Sequence, residues 1–294
     1  MLRFVHRLLH RHSSPVFMFC LMLTAVGLGS PAAALAAVDK ANIEVIEGLK
    51  VESVVVKHPS SKLVVVFESG LRGTLDKWDK VLDAVSPTAS VFAYNRPGYG
   101  NSAATDAPRD GATIVKQLRQ VLKHKGLPPP YVLVGHSLGG LYMQLFARQY
   151  PDEVAGVVLV DALLPRMVKK PDEFPLMTRM AKRVFFSSPV RGEVNAIYAT
   201  GEQVLSLPGI DHKPMIRLIN EPKAVTAVPV DFGVFNHDPA TIALVKGLYP
   251  YAKMTILDSD HEIQSAHPEA VARAIAEIIE KVSPLACSPC SAPR

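Results

Sequence analysis

The sequence predicts an α/β fold, in which a mostly parallel, doubly wound sheet carries helices on both faces and a helical insertion. Short β-branched apolar runs alternate with segments whose apolar residues recur at three- and four-residue steps, and glycine- or proline-marked turns connect them. Two of these runs, residues 63–67 and 157–160, are apolar throughout. Such runs are typical of parallel strands that are covered on both faces.

The predicted elements follow one another along the chain in a regular order. Strands are predicted at residues 43–46, 51–57, 63–67, 91–94, 131–134, 157–160, 224–230 and 252–257. Helices are predicted at residues 75–85, after a cap at Asp110, after Ser137, at residues 241–248 and from Pro268. In a parallel sheet, ligands bind at the carboxyl ends of the strands. Gly70, Asn95, Ser137 and Asp161 are all predicted to lie there.

The alternation breaks in a segment rich in methionine, phenylalanine and proline. This segment, residues 165–222, is predicted to be a cap over the strand ends, with short helical stretches at 176–186, 195–205 and 215–219. Its flexible thioether and aromatic side chains are suited to line an adaptable acyl pocket, although they would equally serve to pack the cap on the core. The core is then expected in two parts, residues 37–164 and 223–283.

Both ends of the chain have distinct compositions. Residues 1–36 combine three arginines, an apolar run and the small-residue stretch Ala32–Ala37, which predicts a cleaved export signal and a periplasmic or secreted protein. The alternative, a membrane anchor, needs a longer apolar run of roughly 20 residues. Residues 284–294 are expected to be a disordered tail, in which Cys287 and Cys290 could close a short disulfide.

The charge balance argues against a nucleic-acid partner. The formal net charge is +5, but residues 1–36 hold three arginines and no acid, so the remainder has 29 basic against 27 acidic side chains. A net charge of +2 is too small to indicate the basic surface of a nucleic-acid-binding protein. The hydrophobic fraction of 48% and charged fraction of 20% indicate a globular domain with a sizeable core.

The most informative motif is Gly135-His136-Ser137-Leu138-Gly139, which stands between a strand and a helix. In a turn this tight the central residue adopts a strained backbone conformation, and flanking glycines remove side chains that would clash. Ser137 would then sit at a helix N-terminus that favours negative charge, with the Leu138 amide facing a developing oxyanion. We therefore interpret Ser137 as a candidate nucleophile.

A serine nucleophile needs a base and a carboxylate that orients it. His261 follows the last predicted strand and is the candidate base, with His237 and His267 in reserve, whereas His136 is expected to project elsewhere. The carboxylate candidates are Asp161, after the strand that follows the Ser137 helix, and Asp231 or Asp238, after the later strand. The residues alone leave these alternatives open.

At this point the chain resembles the α/β-hydrolase superfamily, in particular its small serine esterases and lipases. The resemblance rests on residues 132–140 (VLVGHSLGG), residues 95–102 (NRPGYGNS) and the order of Ser137 before His261. It implies that the Leu71 amide is the second oxyanion donor. It also implies that the acid follows the strand after the Ser137 helix in one subset of the family, a placement that Asp161 fits, and follows the next strand in most members. The chain departs from the family pattern at Ser69, where a histidine is usual, and at Asn95, where an aspartate is usual.

The expected function is hydrolysis of a carboxylic ester through an acyl-enzyme, on a small substrate with an apolar acyl or alcohol group and with no cofactor. No stable membrane anchor is expected after signal cleavage. Amidase, peptidase, lactonase and thioesterase activities are alternatives within the same fold, because a fold does not fix its chemistry. The alternative from another functional class is a binding protein that kept the pocket but lost catalytic activity.

Overall fold

The computed structural model describes residues 41–221 and 236–283. The predicted signal segment, the strand predicted at 224–230, Asp231 and the two cysteines of the tail lie outside these residues. Within the two described ranges, no helix is both long enough and apolar enough to cross a bilayer.

An eight-stranded sheet forms the centre of the described chain. Its strands, in the order β1-β2-β4-β3-β5-β6-β7-β8, are β1 (Asn42–Ile46), β2 (Leu49–Val56), β3 (Val64–Glu68), β4 (Ser90–Tyr94), β5 (Tyr131–His136), β6 (Val154–Val160), β7 (Met215–Asn220) and β8 (Lys253–Leu257). β2 pairs antiparallel with both β1 and β4, and every other neighbouring pair is parallel. The predicted mostly parallel sheet is therefore confirmed.

Helices cover both faces of this sheet. They are α1 (Asp79–Val85), α2 (Gly111–His124), α3 (Leu138–Gln149), α4 (Leu176–Phe185), α5 (Ser188–Ser206), α6 (Pro239–Leu248), α7 (Ile263–Ala266) and α8 (Pro268–Val282). A 3-10 turn at Leu75–Trp78 precedes α1. The core on one face includes α2, α3 and the inner side of α5, and the core on the other face includes α1 and α8. The predicted doubly wound arrangement is confirmed.

The alternation of side chains along a strand explains why both faces are apolar. In β3, Val64 and Val66 enter the core beneath α2 and α3, whereas Val65 and Phe67 enter the core beneath α1 and α8. All five β3 residues are buried. A strand at the centre of a doubly covered sheet thus needs apolar residues at every position, as the continuous run predicts.

One predicted helical stretch is wrong. Residues 215–219, expected to be helical within the cap, belong to β7, which pairs with β6 and β8 and is buried along its whole length. A short apolar run does not distinguish a buried strand from a buried helix, and the two neighbouring strands decide the outcome here. The insertion between β6 and β7 therefore ends at residue 214, and its long helix α5 begins at Ser188, seven residues before the predicted start.

Candidate active site

Ser137 occupies a strained turn between β5 and α3. Its φ is 53° and its ψ is −124°, a combination that residues with a side chain rarely adopt. Three backbone hydrogen bonds hold the turn. The Ser137 amide donates to the Val160 carbonyl at 3.1 Å, and the Ser137 carbonyl accepts from the Leu163 amide at 2.9 Å and from the Gly140 amide at 3.0 Å. Strain of this kind persists where surrounding structure enforces it and is concentrated at functional sites.

The turn needs glycine at both flanking positions of the motif, because backbone atoms pack against them where a side chain would lie. A Cβ on Gly135 would lie 2.6 Å from the Gly140 Cα, and a Cβ on Gly139 would lie 2.3 Å from the carbonyl oxygen of Glu68. Both contacts are with backbone atoms, which cannot move aside cheaply. The start of α3 therefore presses against the ends of β5 and β3, and Leu138 follows Ser137 as the first helical residue.

His261 and Asp161 come from the ends of two later strands and contact each other directly. His261 Nδ1 lies 2.6 Å from Asp161 Oδ2, and the other oxygen of Asp161 accepts a hydrogen bond from the Asn236 side-chain amide at 2.7 Å. The Asp161 side chain is fully buried, whereas a quarter of the His261 side chain is exposed. Because a carboxylate accepts, this contact places the hydrogen of a neutral His261 on Nδ1 and leaves Nε2 as the basic nitrogen.

The competing carboxylates are placed differently. Asp238 caps α6, where its side chain accepts a hydrogen bond from the Thr241 amide at 3.0 Å. That contact is the usual role of an aspartate that precedes a helix. Asp231 lies outside the described residues. Of the two described candidates, Asp161 is the one that the structure brings to His261.

The reserve histidines serve loop structure. His237 Nε2 lies 3.1 Å from the Asn220 carbonyl oxygen, and His267 Nε2 lies 3.0 Å from the Asp258 carbonyl oxygen. Both rings are thus engaged by backbone carbonyls. Of the three candidate bases, His261 is the one that shares a cavity with Ser137.

That cavity has a volume of about 190 Å³ at the carboxyl edge of the sheet. Its wall includes Ser137, His261, Gly70 and Leu71. Gly70 lies so close that a Cβ there would be 2.9 Å from the Ser137 Cβ. The structure therefore brings the candidate nucleophile, the candidate base and the segment of the expected oxyanion donor together around one space.

The position of His136 differs from the sequence prediction. It was expected to project elsewhere, but its ring lines the same cavity and lies 4.6 Å, between ring centroids, from the ring of His261. Its Nε2 donates to the His261 carbonyl at 2.9 Å, because a carbonyl only accepts. Burial, together with the charge of a protonated His261, lowers the pKa of His136 to about 3. His136 is therefore a neutral ring that ties β5 to the loop of His261.

The loop after β3, residues 69–74, is held by the two residues that depart from the family pattern. The Ser69 hydroxyl accepts a hydrogen bond from the Trp78 indole at 2.9 Å and donates to the Thr74 carbonyl at 3.2 Å. The Asn95 side chain accepts from the Leu75 amide at 2.8 Å. These hydrogen bonds secure both ends of the loop that contains Leu71.

Arg96 binds the same loop from inside. Its guanidinium donates to the Ser69 carbonyl at 2.5 Å and to the Gly70 carbonyl at 2.7 Å. Its remaining N–H groups donate to Glu68 at 2.5 Å and to both oxygens of Glu193 at 3.0 Å. All five N–H donors of the guanidinium are therefore satisfied. Arg96 fixes the two carbonyl groups that immediately precede Leu71.

Glu193 belongs to α5 in the insertion and completes a fully buried ionic cluster. It pairs with Arg96 and Arg109 and accepts a hydrogen bond from the Tyr99 hydroxyl at 2.9 Å. Burial opposes ionisation of Glu193, but the charges of Arg96 and Arg109 outweigh it and lower its pKa. Burial raises the pKa of Glu68 in spite of Arg96. The insertion is thus joined by charge to the loop beside Ser137.

Three contributors to the site were not found by sequence reasoning. Asn236 has no motif around it, and Glu193 lies in a helix of unremarkable composition, so neither carries a sequence signal. Glu68 does carry one, because it is an acid at the end of an otherwise apolar buried strand. Such a residue predicts a buried cationic partner, since an isolated buried charge is costly.

A strained serine after a central parallel strand, with a histidine and an aspartate from later strand ends, is the arrangement that defines α/β hydrolases. The family model of the alpha/beta hydrolase fold matches residues 64–201. A non-heme chloroperoxidase of Streptomyces lividans is 37% identical over 129 residues, which are 40% of this chain and 44% of that protein. A (lyso)-N-acylphosphatidylethanolamine lipase of Bos taurus is 31% identical over 100 residues, 33% of this chain and 29% of that protein.

A solved haloalkane dehalogenase variant of Bradyrhizobium elkanii superposes with a TM-score of 0.61 at 14% identity, covering 83% of this chain and 97% of that one. At this identity the likeness shows the fold alone. The family model and the superposition together show that the chain has the α/β-hydrolase fold. It spans less than half the length of the curated relatives it matches.

Proposed function

We propose that this protein is a serine hydrolase that cleaves carboxylic esters through an acyl-enzyme intermediate. The observation that carries the proposal is the shared cavity of Ser137 and His261, with His261 hydrogen-bonded to the buried Asp161 at 2.6 Å. A serine hydroxyl is a weak nucleophile without a base, and a base works best when a third group fixes its tautomer. This arrangement supplies each of these parts.

In the proposed acylation, the Ser137 hydroxyl oxygen bonds to the ester carbonyl carbon while His261 Nε2 takes the hydroxyl proton. The carbonyl oxygen becomes an oxyanion that accepts hydrogen bonds from the amides of Leu71 and Leu138. Asp161 stabilises the imidazolium that forms. When the tetrahedral intermediate collapses, the carbon–alkoxide bond breaks, and the leaving alcohol takes the proton back from His261.

In the proposed deacylation, water bonds to the acyl carbon and gives its proton to His261, and the Ser137 oxygen leaves with that proton. The product acid departs and the enzyme returns to its first state. An oxyanion donor of this kind is worth about 3 kcal/mol of barrier. Arg96 supports this geometry because it holds the carbonyl groups of Ser69 and Gly70, the two residues that precede Leu71.

Two arguments favour esters over other acyl substrates: the chemistry of the leaving group and the name of one relative. Esters are the less demanding substrate because an alkoxide leaves more readily than an amide ion, and the bovine relative is named as a lipase. An aspartate nucleophile would indicate a dehalogenase or an epoxide hydrolase, and Ser137 argues against both. The proposed substrate is a small ester with an apolar acyl or alcohol group, and the proposed site of action is the periplasm or the medium, on the pattern of residues 1–36.

The test is covalent labelling followed by turnover. A fluorophosphonate probe should label the wild-type chain and not the Ser137→Ala variant, and p-nitrophenyl esters of varied acyl length should be hydrolysed by the wild type alone. Faster turnover of amino-acid anilides would assign an amidase or peptidase instead. If the folded wild type formed no adduct and hydrolysed no substrate, the binding-protein alternative would be favoured. Ester turnover retained in Ser137→Ala would refute the mechanism.

The acid is tested by a matched pair of substitutions. Asp161→Asn should lower kcat by about 10⁴-fold, because an amide in place of the carboxylate favours the wrong tautomer of His261. Asp238→Asn should leave kcat near the wild-type value, since Asp238 caps α6 and asparagine caps a helix about as well. Equal activity of the two variants would exclude Asp161 from the proposed role.

A further inference from the structure

Helix α4 (Leu176–Phe185) exposes its apolar side chains instead of burying them. Five of its ten residues are large, apolar and exposed, with exposed fractions between 55% and 78%: Leu176, Met177, Met180, Val184 and Phe185. Isolated exposed apolar residues are ordinary on protein surfaces, but contiguous apolar patches mark sites of interaction. We refer to these five side chains as the α4 apolar face.

The order of residues in α4 separates this face from a basic one. At 100° per residue, the five apolar residues fall within one half of the helix circumference. Arg179 and Arg183 fall in the other half, and the helix contains no acidic residue. Arg179 and Arg183 are exposed. A helix with this division of apolar and basic residues has the composition of a segment that lies on a membrane surface.

We propose that α4 docks on the surface of an anionic lipid bilayer, with its apolar face in the acyl boundary and its cations among the head groups. A ten-residue helix is about 15 Å long, which is half the thickness of the hydrocarbon core, so the helix lies in the plane of the interface. Each cation near an anionic surface strengthens binding about fivefold. The docking is peripheral and reversible, and it does not depend on the proposed ester hydrolysis.

The charge pattern favours a lipid surface over a second copy of this chain. In a two-fold contact each protomer presents the same patch, so α4 would face α4 and bring Arg179 and Arg183 of both helices together, with no acid from either helix. Like charges at such a distance oppose association. Anionic head groups supply the missing complement, and acyl chains cover the apolar face.

The helix offers a direct optical test because the chain has a single tryptophan, Trp78, which is buried. In Phe185→Trp the new indole takes the place of a side chain that is 78% exposed. Its emission should shift to the blue, and brominated acyl chains should quench it, on mixing with phosphatidylcholine vesicles that contain phosphatidylglycerol. Phosphatidylcholine vesicles alone should produce neither change. All measurements use the full chain with Ser137→Ala, so that the vesicles remain intact.

The matched control is Tyr251→Trp. Tyr251 is 81% exposed and lies with Ala155 and Pro214 near the beginnings of β6 and β7, at the opposite edge of the sheet from Ser137. A tryptophan there should show no shift with either vesicle. Because the remainder of the chain is identical, adsorption through another segment would not shift the emission at position 185.

The basic half is tested by reversing two charges. Arg179→Glu with Arg183→Glu should weaken binding to the anionic vesicles at least tenfold, whereas Arg273→Glu, an exposed substitution on α8, should change it little. The absence of a shift at position 185, an equal shift at position 251, or binding unchanged by the double reversal would each overturn the proposal. A shift that depends on protein concentration without vesicles would assign the face to a second copy instead.

Discussion

Asp161 has a hydrogen-bond partner on each carboxylate oxygen, and the two partners come from different parts of the chain. His261 engages one oxygen and the Asn236 side-chain amide engages the other. The carboxylate therefore cannot rotate without losing one of these contacts. Its own backbone is also constrained, with a φ of 40° after β6. At the scale of single residues, the proposed acid is oriented from both sides, which favours one position of the His261 ring.

His136 shows how a neighbouring residue can assist without taking part in the chemistry. It is buried beside His261, and its pKa of about 3 keeps the ring neutral at ordinary pH. A second charged imidazole 4.6 Å away would oppose protonation of His261, which the proposed mechanism requires. The neutral ring avoids this repulsion and donates a hydrogen bond to the His261 carbonyl.

The lowered pKa of His136 predicts a loss of stability in acid. Between pH 6.5 and pH 3 the unfolded chain binds a proton at this position and the folded chain does not, so the free energy of unfolding decreases as the pH falls through this window. The stabilisation is fully present above pH 6.5. By pH 5 this single residue should account for ~2 kcal/mol of the loss.

Urea unfolding of the wild type and His136→Gln at pH 7.5 and pH 5 measures this contribution. Glutamine retains an N–H donor for the His261 carbonyl but does not titrate. The variant should therefore lose ~2 kcal/mol less than the wild type between the two pH values. Parallel losses in the two proteins would show that His136 is protonated in the folded state.

At the scale of elements, α5 is fastened to the core at two points. Glu193 pairs with Arg96 and Arg109, and the buried Thr200 hydroxyl accepts a hydrogen bond from the Gly111 amide at the start of α2 at 3.0 Å. Through Arg96, the first of these contacts reaches the carbonyls of the loop that contains Leu71. The position of an inserted helix is thereby coupled to the geometry of the proposed oxyanion donor.

Removal of the Glu193 charge should affect both stability and catalysis. Glu193→Ala should reduce the free energy of unfolding by about 3–5 kcal/mol, because it leaves Arg96 and Arg109 with less buried negative charge. The milder variant Glu193→Gln should stay folded and show a lower kcat on esters with little change in KM, since the loop geometry matters most in the transition state.

Glu202, on the same helix, provides the control. Its partner Arg166 is largely exposed, and solvent screens such pairs. Glu202→Ala should therefore leave both stability and kcat near the wild-type values. If Glu202→Ala destabilised the protein as much as Glu193→Ala, the loss of stability would come from a change in the helix and not from the buried ionic cluster.

At the scale of the described molecule, the insertion contains two helices with opposite environments. α5 buries six of its residues, whereas every α4 residue whose side chain is described is exposed. Helices in proteins derive most of their stability from packing an apolar face, and the described side chains of α4 form no such face. The two helices should differ in stability although they are neighbours in the chain.

Hydrogen exchange followed by mass spectrometry tests this difference. Amides of α4 should exchange by local opening, orders of magnitude faster than those of α3 and of the middle of α5, which should open only with the core. Anionic vesicles should slow exchange in α4 specifically. Equal protection of α4 and α5 in the free protein would mean that α4 is packed against another part of the chain.

Much of the fold could be predicted because each layer leaves a pattern in the sequence. Val64 to Phe67 face two cores in alternation, so the run is apolar at every position, and the amphipathic helices α2 and α8 carry the usual three- and four-residue spacing. The segment 215–219 is predicted as a helix although it is part of β7, because a short, mostly apolar segment fits both periods. Its pairing with β6 and β8, which sequence periodicity does not contain, decides between them.

The sequence by itself determined the local chemistry at Ser137, because strain, flanking glycines and the change from strand to helix all act within a few residues. It also placed His261 and Asp161 at strand ends, and their catalytic roles stay predictions. Only the tertiary structure decided which aspartate reaches His261, that His136 faces the cavity, and that Glu193 joins the insertion to Arg96. These contacts link residues between 97 and 125 positions apart. Hydrogen bonds of such separation depend on where the strands bring the side chains, which no local sequence pattern records.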